Sequence, residues 1–255
     1  MPVEGAPAES LRGLVATSYY GFEEAAPAPV RRREGPGASV VLIVSFGEEW
    51  LIDGNRLTSF AAGLRLSQVT TEHQGHSYGM HVNLAPPAAR MLLGLPLHEL
   101  AERAVPLEEL FEPDLVERLH DAGTWPARFR LLDAVLERRL RDAGPPSRET
   151  AWAWQQLVSS GGRLPVGRLA EELGWSRKRL VGRFRDEIGL PPKAAARLLR
   201  LERTRALAER SQRRDWARLA LECGFYDQSH LINEFRSFTG KTPETFFQDG
   251  AAAAA

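Results

Sequence analysis

The sequence predicts an α+β fold: an N-terminal antiparallel sheet with following helices, then an all-α domain in which two helix-turn-helix motifs are joined by a long linker helix. Three observations carry this expectation. Short apolar runs broken by turn residues fill the stretch from Leu14 to Leu84, the apolar spacing turns helical after Pro86-Pro87, and a segment of the C-terminal part occurs twice. At 255 residues and 43% hydrophobic, the chain is long enough for two domains.

Residues 1–10 and the tail GAAAAA offer no apolar periodicity and are expected to be structureless ends. The runs LVATSYY, VVLIVSF, WLI, LRLSQVT and YGMHVNL read as strands. Asp53-Gly54-Asn55 after Trp50-Leu51-Ile52 supplies the positive-φ residues of a tight hairpin. Beyond Pro87, Ala89, Leu92 and Leu93, then Leu107, Leu110 and Phe111, then Leu115 and Leu119 fall at helical intervals. Trp125 to Arg141 is a longer helix with Phe129, Leu132, Leu136 and Leu140 along one face. That stripe fits packing on its own sheet and also a dimer seam, so a homodimer held by the N-terminal half is expected. Gly144-Pro145-Pro146 ends the helix and Ser147 caps the next, which divides the chain into residues 1–146, 147–249 and a tail 250–255.

Charge follows the same division. Residues 1–147 hold 14 Lys+Arg against 20 Asp+Glu, and residues 148–255 hold 19 against 13, so a neutral total hides an acidic half and a basic half. This asymmetry favours nucleic-acid binding by the C-terminal part and disfavours a one-domain enzyme. No apolar run approaches the roughly 18–20 residues that span a bilayer, and the N-terminus lacks a signal-peptide pattern, so the expected location is cytoplasmic. Cys223 stands alone, which excludes an internal disulfide or a cysteine-based zinc cluster and reads as a small buried hydrophobe. His73, His76 and His81 fit no metal signature, with or without Glu72, and no metal or cofactor is expected. Trp50, Phe60 and Tyr78 read as core aromatics, with a ligand pocket as the alternative.

The repeat pairs LAEELGWSRKRLVGRFRDEIGLPP, Leu169 to Pro192, with LALECGFYDQSHLINEFRSFTGKTP, Leu219 to Pro243. Leu169, Ala170 and Gly174 match Leu219, Ala220 and Gly224; after one inserted residue, Leu180, Phe184, Arg185, Gly189 and Pro192 match Leu231, Phe235, Arg236, Gly240 and Pro243. Each copy reads helix, glycine turn, helix, with Ser176 and Asp227 suited to cap the second helix. Burying Leu180, Phe184 and Ile188 turns Arg177, Lys178, Arg179, Gly182 and Arg185 outward; burying Leu231, Phe235 and Phe238 presents Gln228, Ser229, His230, Asn233 and Arg236. Such side chains can hydrogen-bond phosphates and base edges in a major groove. Between the copies, Lys193 to Arg210 has neither glycine nor proline. Roughly 18 residues at about 1.5 Å each give about 27 Å, near the roughly 34 Å of one DNA turn.

The pieces LAEELGWSRKRLVGRFRDEIG, RLLRLERTRALAE and GFYDQSHLINEFRSFTGKTPETF resemble the DNA-binding domain of AraC/XylS-type transcriptional regulators over about residues 160–247. The resemblance implies seven helices, one recognition helix per copy, and promoter control through an N-terminal domain that binds an effector or dimerises. Carried over by position, the base-facing sites fall on Lys178, Val181 and Gly182 and on Ser229 and Asn233; Val181 and Gly182 depart from the long polar residues often found there. The N-terminal half resembles the family's smaller sheet-plus-helix sensor domains only in the order of its elements. The expectation is therefore a sequence-specific, DNA-binding transcription regulator and not an enzyme, with promoter DNA, a small effector, RNA polymerase and a second copy as partners. The rivals are an effector-independent activator and a cupin-like enzyme fused to a DNA-binding domain. The DNA-repair methyltransferases that share the module need several cysteines, and this chain has one.

Overall fold

A computed structural model describes residues 3–143, 147–211 and 214–253. The N-terminal half holds two antiparallel sheets where the sequence suggested one. The strands are β1 (Val3–Gly5), β2 (Tyr19–Ala25), β3 (Val30–Glu34), β4 (Val40–Ser45), β5 (Trp50–Ile52), β6 (Asn55–Leu57), β7 (Phe60–Ala62), β8 (Val69–His73), β9 (His76–Leu84) and β10 (Ala104–Pro106). A six-stranded sheet runs β1-β2-β9-β4-β7-β10 and a four-stranded sheet runs β3-β8-β5-β6.

Strand alternation divides the larger sheet into two unlike faces. Tyr19, Leu42, Val44, Met80 and Val82 are buried on the face covered by helices α1 (Pro86–Leu93) and α3 (Trp125–Ala143). Contact there is close: a Cβ on Gly21 would lie 2.4 Å from the Trp125 ring, and Tyr19 donates to Asp133 at 2.8 Å. The opposite face, with Tyr20, Val41, Ile43, His81 and Asn83, is half-buried. The smaller sheet roofs one end of that face, where Phe22 meets the Trp50 ring and Glu24 meets His73.

Several boundaries differ from the sequence reading. Residues 3–10 are not structureless: β1 pairs with β2 from Val3↔Gly21 to Gly5↔Tyr19, and a Cβ on Gly5 would lie 2.2 Å from the Phe129 ring. A short edge strand is held by its partner's backbone and needs no apolar period of its own. LVATSYY is extended only from Tyr19, and LRLSQVT only from Val69. Leu107–Glu109 is a 3-10 turn, and the true helix of that stretch is α2, Leu115–Asp121. The Asp53-Gly54 turn is as expected, with φ of 47° and 87° closing β5 onto β6. The α3 stripe is consumed inside the molecule: Phe129, Leu132, Val135 and Leu136 are buried and Leu140 packs against the same core, so it offers no dimer seam.

The C-terminal half comprises α4 (Arg148–Ser159), α5 (Val166–Glu172), α6 (Arg177–Ile188), α7 (Pro192–Glu209), α8 (Trp216–Glu222), α9 (Gln228–Thr239) and α10 (Pro243–Ala253). Ser147 caps α4 by accepting the Thr150 N–H, while the proposed breaker Gly144-Pro145-Pro146 lies outside the described residues. α10 continues through Ala253, where a structureless tail was expected; alanine has the highest helix propensity and prolongs the helix. Of that tail, residues 254–255 lie outside the described ones.

The buried cores of the two halves are contiguous. α6 lies against α1 and against a 3-10 turn, Leu97–Glu99. At Gly189 (φ 93°), which ends α6, a Cβ would sit 3.1 Å from the Leu97 carbonyl oxygen. Arg90 reaches Asp186 at 3.5 Å, and the Ala38 N–H donates to Glu202 of α7 at 2.7 Å. Burial pushes the Glu202 carboxyl up from its ordinary range.

Candidate nucleic-acid interface

Two heads of the same design flank α7. In the first, α5 ends on Gly174 (φ 62°), and Ser176 Oγ accepts the Arg179 N–H at 3.2 Å to start α6. In the second, α8 ends on Gly224 (φ 80°), and Asp227 accepts the His230 N–H at 2.7 Å to start α9. Each cap satisfies a backbone donor that the first helical turn leaves unpaired. Leu180, Phe184 and Ile188 anchor α6, and Leu231, Phe235 and Phe238 anchor α9, all buried.

This burial leaves one polar face of each helix free. Arg177, Lys178, Arg179, Gly182 and Arg185 are exposed on α6, and Gln228, Ser229, His230, Asn233 and Arg236 on α9. Val181 is half-buried. Arg179 lies over the Trp175 ring at 4.5 Å, which steadies its guanidinium at the start of the helix. His230 is tied to its own turn, because its Nδ1 accepts the Tyr226 N–H at 3.3 Å and its ring stands edge-on to Phe225. Around Gly182 there is no atom within 4 Å of an added Cβ, so packing within the protein does not require a glycine.

The linker helix sets one head against the other. Glu234 of α9 receives Arg197 at 2.6 Å and Arg200 at 3.3 Å, and Arg200 also donates to the Gly162 carbonyl at 3.1 Å. At Gly162 (φ 74°) the loop before α5 touches the helix backbone, where a Cβ would fall 2.1 Å from the Ala196 carbonyl oxygen. Burial pushes the Cys223 thiol up, in keeping with its place in the core. Tyr226, in the turn before α9, is 86% exposed. Sequence reasoning passed over it; an aromatic in the turn just before the capped helix α9 was the available signal.

The N-terminal candidates do not converge. His73 is buried, 3.1 Å from Glu24 and tilted against the Trp50 ring; His76 is exposed; His81 is half-buried beside Asn83. Burial lowers the affinity of His81 for a proton. No three potential metal ligands come together among the described residues. Phe60 is core, and Tyr78 packs with Phe46 and Trp125 around the buried Arg128 guanidinium. No helix among the described residues is long and apolar enough to cross a membrane.

Residues 169–249 match the family model of a helix-turn-helix domain. No curated protein matches the chain. Among solved structures, an apo ToxT point variant from Vibrio cholerae is similar at 10% identity, covering 91% of this chain and 97% of that one with a TM-score of 0.51. A second ToxT crystal form covers 90% and 98% at 10% identity and TM-score 0.50. A DNA-binding transcriptional dual regulator from Escherichia coli K-12 covers 43% of this chain and 97% of its own at 21% identity and TM-score 0.37. Two capped, outward-facing helices on a matched helix-turn-helix domain define a DNA-binding transcription regulator. Residues 169–249 are a helix-turn-helix domain, and the chain shares its fold with ToxT.

Proposed function

We propose that the chain reads promoter DNA with α6 and α9 in successive major grooves, using Arg177, Lys178, Arg179, Val181, Gly182 and Arg185 in the first head and Gln228, Ser229, His230, Asn233 and Arg236 in the second. The observation that carries this reading is the pair of free polar faces on helices that one linker helix holds in fixed relation. Lys178, Arg185 and Arg236 have no carboxylate partner among the described residues, which leaves them available to phosphates and base edges. The N-terminal domain senses a small effector in this proposal, supported by the half-covered sheet face around Tyr20, His81 and Asn83. Its contacts with α6 and α7 supply a route from effector to DNA. The proposal places the chain in the cytoplasm as a regulator without catalytic activity that acts on RNA polymerase. It includes a homodimer, for which a surface other than the α3 stripe is required.

The test is selection of duplex fragments by the full-length protein. Enriched sequences should carry two conserved blocks about 10–10.5 base pairs apart, centre to centre. Selection that enriches no sequence would overturn the reading. A scan of metabolites for a raised melting midpoint tests the effector, and light scattering at micromolar concentration tests the dimer.

A further inference from the structure

A groove of about 400 Å³ opens beside the first head where α7 joins it to the second. Arg163, Arg177, Lys193 and Arg200 line it, together with Gly162 and Gly167. They come from the loop before α5, the first turn of α6 and the linker helix, so three separate elements bring their cations to one place. Only Arg200 is engaged by a carboxylate among the described residues, that of Glu234. Arg163, Arg177 and Lys193 are exposed and line a common space, and none of the three has a carboxylate partner among the described residues. Like charges held together repel, and an anion placed among them relieves the repulsion.

Two of the four cations, Arg163 and Arg200, are also held in position. Arg163 donates its Nε to the Ser160 carbonyl at 3.0 Å, and its stem lies against Gly224 of the second head, where a Cβ would meet it at 2.7 Å. The Arg177 Nη2 would be 3.7 Å from a Cβ on Gly167, so the guanidinium lies beside a residue without a side chain. Planar guanidiniums with free N–H groups match the oxygens of a phosphate, and the lysine adds a mobile point charge.

We propose that this groove is a phosphate-binding site, filled in the DNA complex by a backbone phosphate of the strand that passes between the two major grooves. The assignment of the phosphate to DNA rests on the reading of α6 and α9 given above. A free phosphorylated small molecule offers the same chemistry, and the experiment separates the two sources. Arg163 and Lys193 lie outside the set of base-facing residues and act on every sequence alike.

The test compares full-length wild type with Arg163→Ala/Lys193→Ala, using a selected site and an unrelated duplex over a range of salt. Removing two phosphate contacts should reduce the salt slope by about 2 and weaken both duplexes by a similar factor, about tenfold or more, without changing base preference. Arg163→Lys/Lys193→Arg should restore the slope, and unchanged circular dichroism and melting midpoint exclude misfolding. In a parallel arm, inorganic phosphate at millimolar concentration is tested for its effect on the melting midpoint. If the slope is unchanged but phosphate raises the midpoint of the wild type and not of the double variant, the groove holds free phosphate. If the wild type binds no duplex, the DNA reading falls, while the phosphate arm still decides the groove. An unchanged slope together with no phosphate effect overturns the proposal.

Discussion

The N-terminal domain packs broadly against the first head and meets the second at one place. α6 carries the N-terminal domain on its C-terminal end, with Leu97 against Gly189, Arg90 beside Asp186, and Glu187 buried near Thr150 and paired with Arg183. α9 is anchored from below by Arg197 and Arg200, and the N-terminal domain approaches its end near Gly240, where a Cβ would lie 3.6 Å from Gln68 Oε1. Two copies of one repeat have thus acquired different surroundings. Among the described residues, the N-terminal domain touches the first head over a wide contact and the second head only near Gly240.

The largest test of that asymmetry is in the two cores. Phe184→Ala and Phe235→Ala each remove a buried ring, and each should cost about 3–5 kcal/mol. Calorimetry should show Phe184→Ala lowering one transition of the whole chain, since α6 shares its core with α1 and α4, whereas Phe235→Ala should split off an early transition of the second head. Identical profiles would break the comparison.

Base reading comes next. Asn233→Ala should lose about 1–3 kcal/mol of discrimination at one base pair, while Arg185→Ala should weaken all sequences together and reduce the salt slope by about 1. Binding to a panel of single-base variants separates the two, and an Asn233→Ala protein with full preference would remove readout from the second head. A smaller effect is expected at Gly182, where the helix has open space. Gly182→Ala should raise stability by about 1 kcal/mol, and weaker DNA binding by this more stable protein would reveal close approach of α6 to the groove.

The smallest effect concerns Glu187, whose carboxyl burial pushes above its ordinary value of 4.5. Between that value and the raised one the folded state binds more protons than the unfolded state, so stability falls as pH rises through the window. Glu187→Gln should remove this loss, and its melting midpoint should exceed the wild type's more at pH 7 than at pH 4. No equivalent buried carboxylate sits on α9, where Glu234 is met by two arginines, and the same pair of measurements on Glu234→Gln should show a loss of stability instead.

Much of the DNA-binding half was legible because each copy carries its own caps, glycine turn and anchor spacing within about two dozen residues. Ser176, Asp227, Leu180 and Phe235 all do locally what their types suggest. The sheets were legible only where alternation is strong, as in β4 and β9. β3 went unseen because an exposed edge strand, Val30–Glu34, carries charges where a buried strand would show apolar residues. Which strand pairs with which is a long-range choice, and nothing in WLI or VRRRE states that they belong to a second sheet. The exposed positions of α6 and α9 follow from helical period, with Val181 half-buried between faces. Arg163, Arg177 and Lys193 belong to no common period, so their meeting in one groove could only be found in three dimensions.

The bracing of α7 has a consequence for the DNA. With Gly162 seated on Ala196 and Glu234 held by Arg197 and Arg200, the heads are fixed in rotational phase as well as in distance. One residue added to a helix turns everything beyond it by about 100°, so a single insertion in α7 would swing α9 to another side of the duplex. The same constraint applies to the operator. One base pair gained or lost between its two blocks shifts them by about a tenth of a turn, which a clamped ruler cannot follow. Binding sites for this protein should therefore vary in their letters far more readily than in their spacing.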